Sequence, residues 1–466
     1  MRPASLETVA HVIGAELPPG ADGDLPVRGG VADSREARPG AGQLFFALSG
    51  RTDGAGFAGD ACRNGAVAVV ASRSLEDLEA PTLVVEDPLR ALQELARWTL
   101  EREDAEAPRV VGITGSVGKT TTKDALAAIL RSAGLRVSAT AGNYNNEIGL
   151  PLTLLAAGEE TEALVLEMGA THPGDIRHLC SIAPPEVGVL TAVSPVHLES
   201  FGSLEDLAAA KGELADALAE SGTLVAPHDA PSAATGRGRS LGRRLVFGGE
   251  TAESGAESLV ASEIESGEEG ISFTVHHGER RVRVRSPVFG THLVDPLLAA
   301  FGGALALGVD LEDCARGVER LKRTGLRGEV YRLRDGIVVY DDSYNASPVA
   351  NEAVLRYGAE EARAGGRLVA VLGGMFELGV GAREYHREIG ALATRLGVDL
   401  LVCVGDEARW YAEGFAGESV FYGDAAAAGE GLKEHLQSGD YVVVKGSRGV
   451  GLEAVSRRLR EELSLV

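Results

Sequence analysis

The stretch VVGITGSVGKTTTKDAL, residues 110–126, decides how the middle of the chain folds. Its apolar start predicts a buried strand, and Gly118, Lys119 and Thr120 follow a glycine turn and open a predicted helix. This order directs backbone N–H groups and the positive end of a helix dipole towards a phosphate, to which the lysine adds a charge. The alternative is an ordinary glycine-rich turn. We predict a nucleotide-binding loop, because the GKT sequence stands in the required strand-to-helix context.

The loop has only the shorter form of the phosphate-binding pattern. Ile113 occupies the place of the first glycine in the general G-x-x-x-x-G-K-[ST] spacing, so the match begins at Gly115. No Asn-Lys pair occurs in the sequence, which excludes the guanine-reading loop of regulatory GTPases. The predicted phosphate-binding residues are Gly115, Ser116, Val117, Gly118, Lys119, Thr120 and Thr121.

Composition is typical of a multidomain α/β protein. The chain has 466 residues, too many for one hydrophobic core, with 44% apolar and only 5% aromatic residues. A net charge of −23 argues against nucleic acid or an anionic membrane as the main partner. The four cysteines are isolated, and the sequence has neither a signal peptide nor an apolar run of about 18 residues. We therefore expect a reduced, cytoplasmic protein without a membrane span.

Three segments differ in their strand and helix patterns and predict three domains of the α/β class. Residues 1–107 mix a leading helix with short strands. Residues 108–322 alternate strands with helices, which predicts a mostly parallel sheet, and the alternating pattern within 231–290 predicts antiparallel strands on one edge. Residues 323–466 repeat the alternation and predict a smaller domain.

Three residues stand out after the central strands. Glu167 ends the strand ALVLE, where a carboxylate beside a phosphate loop is a reasonable metal ligand. His197 follows the next predicted strand, although a lone histidine in a loop is more often structural than functional. Lys211 lies in a predicted amphipathic helix, and this pattern alone favours a solvated surface lysine.

Several short motifs, in a fixed order, make the chain resemble the Mur ligases. They are TGSVGKTTTK, AGNYNNEIGLPLTLL, LEMGA, HLESFGS with AAAKGEL, YDDSYNASP, LGGMFELG and VKGSR. The resemblance covers nearly the whole chain and is strongest over 110–215 and 325–450. AGNYNNEIG and DDSYNA are more typical of the branch that adds D-alanyl-D-alanine than of the other branches.

The resemblance implies a fold and an activity. The expected fold has an N-terminal UDP-sugar-binding domain, a central P-loop-type ATPase domain and a C-terminal Rossmann-like domain, in a monomer. The expected enzyme uses ATP to phosphorylate the terminal carboxylate of UDP-N-acetylmuramoyl-tripeptide, and the amine of D-alanyl-D-alanine then displaces phosphate, in peptidoglycan precursor synthesis. Ligation of glutamate or a diamino acid, and a non-catalytic ATP-binding switch, are the alternatives. We expect the domains to close about a hinge near residues 323–328.

The resemblance also assigns metal and ATP ligands. Thr120 and Glu167 would bind one Mg²⁺, and His197 would bind a second. Lys211 matches a lysine that the family carbamylates with CO₂, which would replace a cation by an anionic oxygen ligand. The implied catalytic residues are Lys119, Lys211, His197 and Glu167. Besides the phosphate loop, the implied ATP-binding residues are Arg327, Asp342 and Asn345.

The remaining implied contacts are with the substrates. These residues are Ser34, Arg35, Asn143, Asn145, Asn146, Lys445, Ser447 and Arg448. For the asparagine cluster and for the C-terminal residues, a structural role in turns is the alternative. One segment departs from the family pattern G-x-H-N-x-x-N, whose asparagines help to seat adenine. In GTHLVDPLLAA, Leu293 and Pro296 replace both asparagines and His292 is kept.

Overall fold

Three larger β-sheets flanked by helices, together with a two-stranded sheet, organise the described residues, so the predicted α/β fold class is confirmed. The computed structural model describes residues 1–50, 52–102, 106–236, 241–248, 257–267, 269–321, 326–362 and 366–463. Residues 323–325 of the predicted hinge lie outside the described residues. The boundaries at 107/108 and 322/323 stay a prediction.

The N-terminal domain holds a small parallel sheet. Its strands are β1 (Ala4–Ser5), β2 (Pro26–Val27), β3 (Gly29–Val31), β4 (Gln43–Phe46), β5 (Ala68–Ala71) and β6 (Thr82–Val84), and its helices are α1 (Leu6–Val12), α2 (Ala58–Arg63) and α3 (Pro88–Glu101). Strands β3 to β6 form the sheet in chain order, and β1 pairs antiparallel with β2. The Asp87 carboxylate accepts the Leu89 N–H at 2.8 Å and caps α3, which Pro88 opens.

The central domain has a nine-stranded sheet. Its strands are β7 (Arg109–Thr114), β8 (Val137–Ala139), β9 (Ala163–Glu167), β10 (Val187–Leu190), β11 (Thr223–Pro227), β12 (Arg243–Phe247), β13 (Glu257–Gly267), β14 (Gly270–His277) and β15 (Arg280–Ser286). Its helices are α4 (Lys119–Ser132), α5 (Gly149–Ala156), α6 (Asp175–Ile182), α7 (Leu198–Phe201), α8 (Leu204–Ala217), α9 (Val294–Ala306) and α10 (Leu311–Glu319).

The strand order in this sheet is β15-β14-β13-β12-β11-β10-β7-β9-β8. Neighbouring strands from β8 to β13 are parallel, whereas β13, β14 and β15 pair antiparallel on one edge, as the alternating pattern within 231–290 predicts. Strands β9 and β10 are buried along their whole length, because helices cover both faces of a parallel sheet.

The C-terminal domain has a six-stranded sheet in the order β16-β17-β21-β18-β19-β20. Its strands are β16 (Glu329–Arg332), β17 (Val338–Asp341), β18 (Leu368–Gly373), β19 (Leu400–Val404), β20 (Glu418–Tyr422) and β21 (Tyr441–Lys445). Its helices are α11 (Pro348–Ala362), α12 (Ala382–Leu396), α13 (Arg409–Gly414), α14 (Ala425–Gly431) and α15 (Glu453–Leu463). Only the edge strand β16 is antiparallel to its neighbour, so the sheet is Rossmann-like.

Among the described residues, no helix combines the length and apolar character needed to cross a membrane.

Candidate functional site

A cavity of about 1170 Å³ lies where the three domains meet. It opens beyond the carboxyl ends of β7, β9 and β10, which is where open parallel sheets place their ligands. The central domain contributes the phosphate loop, the C-terminal domain contributes the turn after β17 and the loops after β18 and β21, and α3 contributes from the N-terminal side. A volume of this size suits a large ligand, or several ligands side by side.

Two glycines give the phosphate loop its shape. Gly115 and Gly118 have φ angles of 146° and 84°, which favour glycine. A Cβ atom at Gly115 would lie 2.1 Å from the Thr191 hydroxyl oxygen, so a side chain does not fit there. The Ser116 hydroxyl donates to the Ser194 carbonyl at 2.8 Å and ties the loop to the segment after β10. The loop is therefore held open at the N-terminus of α4.

Lys119 folds back over this loop. Its ammonium donates to the carbonyls of Gly115, at 2.7 Å, and Ser116, at 3.1 Å. Burial lowers the pKa of Lys119, as does the nearby Arg327 guanidinium, whereas Glu167 acts in the opposite sense. The ammonium thus lies at the loop, where a phosphate oxygen would compete with the two carbonyls for its protons.

Glu167 is held between two polar side chains. Its carboxylate, in a residue only 3% exposed, accepts the Thr120 hydroxyl at 2.8 Å on one oxygen and the Asn145 amide at 2.8 Å on the other. Its backbone N–H donates to the Thr140 hydroxyl at 2.9 Å. A buried carboxylate beside a hydroxyl is a hard oxygen donor set of the kind that Mg²⁺ prefers, so these residues fit that ion.

His197 joins the central domain to the C-terminal domain. It lies just before α7 with a φ of 53°, and its Nδ1 hydrogen-bonds the Glu377 carboxylate. Burial is the main reason why the pKa of His197 is lowered, and the Glu377 carboxylate opposes that effect. His197 also lines the cavity, so its ring is available to a ligand there.

The expectation that Lys211 is a solvated surface lysine is wrong. The residue is 2% exposed, in α8, and its ammonium lies 5.7 Å from the centre of the Phe201 ring. Burial is the largest cause that lowers its pKa to about 7, and the Lys119 ammonium adds to the effect. It lines the cavity, and no hydrogen bond or ion pair joins its ammonium to another described residue. The periodicity of α8 does not reveal this burial, because other elements cover the helix.

The possible metal ligands of the described residues lie singly or in pairs. Across the described residues, no three His, Cys, Asp or Glu side chains stand together as a metal site. The donors near the phosphate loop are mixed: a hydroxyl, a carboxylate, an imidazole and an amine. An ammonium on Lys211 would repel a second cation at His197, whereas a neutral or an anionic Lys211 would not.

The turn after β17 depends on Lys445. Its buried ammonium forms an ion pair with the Asp342 carboxylate and donates to the Asn345 carbonyl at 2.9 Å. Asp342, Asn345 and Lys445 all line the cavity. In this structure Lys445 holds the turn in place, which is the structural alternative for this residue, and its contact with substrate stays a prediction.

Two arginine side chains pack against the ring of Tyr344. The guanidinium of Arg327 lies 3.9 Å from the centre of the Tyr344 ring, and that of Arg448 lies 5.6 Å from it. Such cation–π contacts hold a guanidinium without using its N–H donors. Both arginines line the cavity, and Arg448 also donates to the Glu453 carboxylate at 3.2 Å with one of its N–H groups. Tyr344 lies inside the DDSYNAS motif, but the sequence alone does not single it out as their support.

The three predicted asparagines line the cavity, and two of them hold local structure. Asn146 accepts the Gly149 N–H at 2.9 Å at the start of α5, and Asn145 orients Glu167. Asn143 has its backbone in the same turn, where its carbonyl accepts the Asn145 N–H. The turn-cluster alternative therefore describes part of what these residues do.

Ser34 and Arg35 do not line the cavity. Arg35, with its side chain 86% exposed, pairs with Asp33 at 2.5 Å, and this contact lowers the pKa of Asp33 to about 2. Ser34 is buried and its carbonyl accepts the Asn64 amide at 2.9 Å. Their contact with a UDP sugar stays a prediction.

Helix α3 contributes residues that the sequence analysis missed. Asp87, Arg90 and Gln93 line the cavity, and the Gln93 amide donates to the Glu147 carbonyl at 3.0 Å. Their spacing is that of any exposed helix face, so no local signal marks them as part of a site.

The segment 290–300, which differs from the family pattern G-x-H-N-x-x-N, forms an apolar wall of the cavity. Leu293 and Pro296 line it, and Pro296 packs where a Cβ atom at Gly118 would come within 3.1 Å of its ring. His292 is next to them, and burial lowers its pKa to about 4. Its buried Nδ1 has no hydrogen-bond partner within the described part of the chain.

Comparisons with known proteins point to one family. Residues 113–304 match the Mur ligase middle domain, and residues 326–448 match the Mur ligase glutamate ligase domain. The chain is 35% identical over 428 residues, 90% of either chain, to the UDP-N-acetylmuramoyl-tripeptide–D-alanyl-D-alanine ligase of Bacillus subtilis (strain 168).

Solved structures agree along the whole fold. A crystal structure of MurF from Acinetobacter baumannii has a TM-score of 0.87 and 28% identity, and the match covers 99% of both chains. MurF ligase from Thermotoga maritima in complex with ADP has a TM-score of 0.80 and 33% identity, over 94% of this chain and 98% of that chain.

Proposed function

Because the chain belongs to the Mur ligase family, we propose that it ligates D-alanyl-D-alanine to UDP-N-acetylmuramoyl-tripeptide and converts ATP to ADP and phosphate. The observation that carries this proposal is a single cavity that combines a phosphate loop, a buried Thr120–Glu167 pair and the buried Lys211. Transfer of a phosphoryl group to a carboxylate needs charge stabilisation and metal ligands beside the phosphate loop, whereas a nucleotide-binding protein would need only the loop.

The phosphate loop would hold ATP. Lys119 would exchange its two carbonyl partners for oxygens of the β- and γ-phosphates, and the N–H groups at the start of α4 would bind the same anions. Arg327 would approach from the C-terminal domain with its guanidinium fixed on Tyr344. The ADP complex of the Thermotoga maritima relative supports nucleotide binding in this fold.

Magnesium binding is proposed on the oxygens of Thr120 and Glu167, with His197 as ligand to a second ion. When bound, such ions neutralise the phosphate charge and polarise the transferred group. Asn145 would keep the carboxylate of Glu167 in one orientation, because its amide holds one oxygen and leaves the other to the metal side. This proposal is supported by the oxygen donors of Thr120 and Glu167, which are both buried.

Carbamylation of Lys211 is proposed as well. A neutral amine adds to CO₂, forms the N–C bond of a carbamate and releases one proton. Burial makes the neutral amine accessible near pH 7, since the pKa of Lys211 is lowered to about 7. The product replaces a cation by an anion, which the nearby Lys119 ammonium favours and the Asp175 and Glu213 carboxylates oppose.

The proposed reaction has two steps. A carboxylate oxygen of the tripeptide attacks the γ-phosphorus and ADP leaves, which gives an acyl phosphate. The amine of D-alanyl-D-alanine then attacks the acyl carbon, phosphate leaves, and the nitrogen loses a proton. The cations Lys119, Arg327 and Arg448 would stabilise the charge that moves between these groups.

Adenine would rest against the apolar wall of Leu293 and Pro296, in place of the amide contacts of the family pattern.

Asn143 and the C-terminal residues Ser447 and Arg448 are proposed to contact the peptide substrates, and Ser34 and Arg35 the UDP sugar. We also propose that the enzyme acts in the cytoplasm and as a monomer.

The proposal is tested by mass spectrometry of reactions that contain ATP, Mg²⁺, UDP-N-acetylmuramoyl-tripeptide and D-alanyl-D-alanine. We expect a product whose mass is that of the two peptides less one water, and phosphate release that requires both. Glutamate or a diamino acid in place of the dipeptide distinguishes the other ligases of the family. ATP binding without any product would favour the switch protein.

A further inference from the structure

We propose that Glu377 is a positioning residue that fixes the imidazole of His197 when the C-terminal and central domains meet. The proposal rests on the proposed function in one respect, namely that His197 presents a nitrogen to a metal ion in the cavity. The juxtaposition itself is a property of the chain: the Glu377 carboxylate hydrogen-bonds Nδ1 of His197 across the domain contact.

Both residues hold unusual backbone conformations. His197 has a φ of 53° and Glu377 a φ of 63°, and a non-glycine residue in this region costs about 1 kcal/mol. Six described non-glycine residues have positive φ, and these two contact each other. Strained residues persist where the surroundings hold them, so the pairing indicates a contact that both backbones are shaped to make.

A backbone contact accompanies the side-chain contact. The Glu199 N–H, two residues after His197, donates to the Glu377 carbonyl at 3.2 Å. Gly379 approaches the same segment so closely that a Cβ atom there would lie 3.3 Å from the Glu199 Cα. The segment that carries His197 therefore docks against the segment that carries Glu377 at several points.

Hydrogen bonds to His386 and Ser447 hold the Glu377 loop, residues 374–379, in place. The Met375 N–H donates to Nε2 of the buried His386 at 2.9 Å, and Nδ1 of His386 contacts the Ala382 carbonyl at 2.6 Å. The Phe376 N–H donates to the Ser447 hydroxyl at 2.9 Å. These bonds fix the backbone on the N-terminal side of Glu377, so the carboxylate is presented from a defined position.

The chemical consequence concerns the tautomer of His197. A carboxylate accepts a hydrogen bond, so the neutral imidazole carries its proton on Nδ1 and keeps a lone pair on Nε2. Carboxylates that bind the second nitrogen of a ligating histidine commonly set its orientation and its basicity. Here the carboxylate comes from the other domain, so Nδ1 of His197 has this partner, and the ring its fixed orientation, only when the two domains are in contact.

The test compares Glu377→Ala and Glu377→Gln with Glu384→Ala, an equally exposed glutamate of the same domain that pairs with Arg387. The first readout is the ¹⁵N spectrum of the histidine rings in the metal-free and nucleotide-free protein, with the His197 signal identified in His197→Gln. We expect Nδ1 protonation in the native chain and in Glu377→Gln, whose amide oxygen still accepts, and a tautomer mixture in Glu377→Ala. Glu384→Ala should match the native chain.

The second readout is the Mg²⁺ concentration that gives half-maximal phosphate release. It should rise about tenfold in Glu377→Ala and about twofold or less in Glu377→Gln. An unchanged His197 tautomer in Glu377→Ala, or a changed tautomer with an unchanged Mg²⁺ requirement, would overturn the proposal. If the native chain forms no ligation product, the proposed function fails, and the ring spectrum alone still decides whether Glu377 positions His197.

Discussion

The central domain meets its two neighbours in different ways. Its contact with the N-terminal domain is apolar and continuous, because one hydrophobic cluster includes residues of both, among them Val27, Leu44, Phe46, Leu150, Leu154, Leu155 and Leu164. Its contact with the C-terminal domain is mostly polar: the Tyr340 hydroxyl donates to the Phe289 carbonyl at 3.2 Å, Ser266 donates to Glu361 at 3.0 Å, and His197 meets Glu377.

The apolar contact is the permanent one. An interface that shares a core cannot separate without exposing apolar surface, whereas a few polar bonds exchange readily with water. The large cavity lies beside the polar contact, so we expect the C-terminal domain to move and the N-terminal domain to stay in place. Substitutions at the two contacts should accordingly separate loss of stability from loss of activity.

The largest expected effect is on activity, at the cavity. Lys211→Ala should reduce ligation about a thousandfold, because it removes the proposed anionic oxygen ligand. Its free energy of unfolding should change by only about 1 kcal/mol, because the cavity left by the buried stem destabilises the fold, whereas removal of an ammonium without a hydrogen bond or ion pair to a described residue stabilises it. Product formation and chemical denaturation measure the two effects, and the exposed Lys433→Ala is the matched control. Full activity of Lys211→Ala would contradict the assigned role.

The next effect is on stability, at the apolar contact. Leu155→Ala should lower the free energy of unfolding by about 3 kcal/mol, because it leaves a cavity in the shared cluster where Gly30 of β3 packs against Leu155. The folded fraction should keep its kcat. Denaturant titration with Leu204→Ala, at an exposed leucine, as control checks this. A strong loss of kcat in Leu155→Ala with normal stability would show that the contact between the N-terminal and central domains also affects catalysis.

A pH effect is expected at the polar contact. Burial lowers the pKa of His292 to about 4, below the ordinary value of about 6.5, so the unfolded state binds more protons between these values. Stability from this group is present above pH 6.5 and is lost as pH falls towards 4, by about 3 kcal/mol. Unfolding measured at several pH values should therefore be less acid-sensitive in His292→Leu. Equal slopes for both proteins would contradict a buried neutral imidazole.

The smallest expected effect concerns Tyr344, whose ring packs against Arg327 and Arg448. Tyr344→Leu removes the ring that carries Arg327 and should raise the KM for ATP about fivefold, the equivalent of roughly 1 kcal/mol of cation–π energy. The thermal midpoint should hardly change. Tyr344→Phe, which keeps the ring, is the control and should behave as the native chain. An increase in KM for Tyr344→Phe equal to that for Tyr344→Leu would point to the hydroxyl instead of the ring.

What could be predicted from the sequence was local. The glycines and the lysine of the phosphate loop act within one turn, and Glu167 ends a strand that is hydrophobic throughout, so short-range patterns locate them. The central and C-terminal sheets also follow from the local alternation of strand and helix patterns. The family resemblance, in turn, supplied roles that no pattern in this one sequence carries.

What could not be predicted depends on distant contacts. The burial of Lys211 arises from the packing of α8 against other elements, which the period of one helix does not encode. Lys445 holds a turn about one hundred residues earlier in the chain, and Glu377 meets His197 across a domain contact. Such pairings depend on tertiary structure, so a pattern within either segment does not contain them.

The most direct test of the account follows an oxygen atom. UDP-N-acetylmuramoyl-tripeptide labelled with ¹⁸O in its terminal carboxylate is incubated with ATP, Mg²⁺ and D-alanyl-D-alanine, and the released phosphate is analysed by mass spectrometry. Transfer of the γ-phosphoryl group to the carboxylate predicts one ¹⁸O atom in each phosphate. Unlabelled phosphate together with the ligated product would show that no acyl phosphate forms, and would contradict the reaction proposed for the cavity.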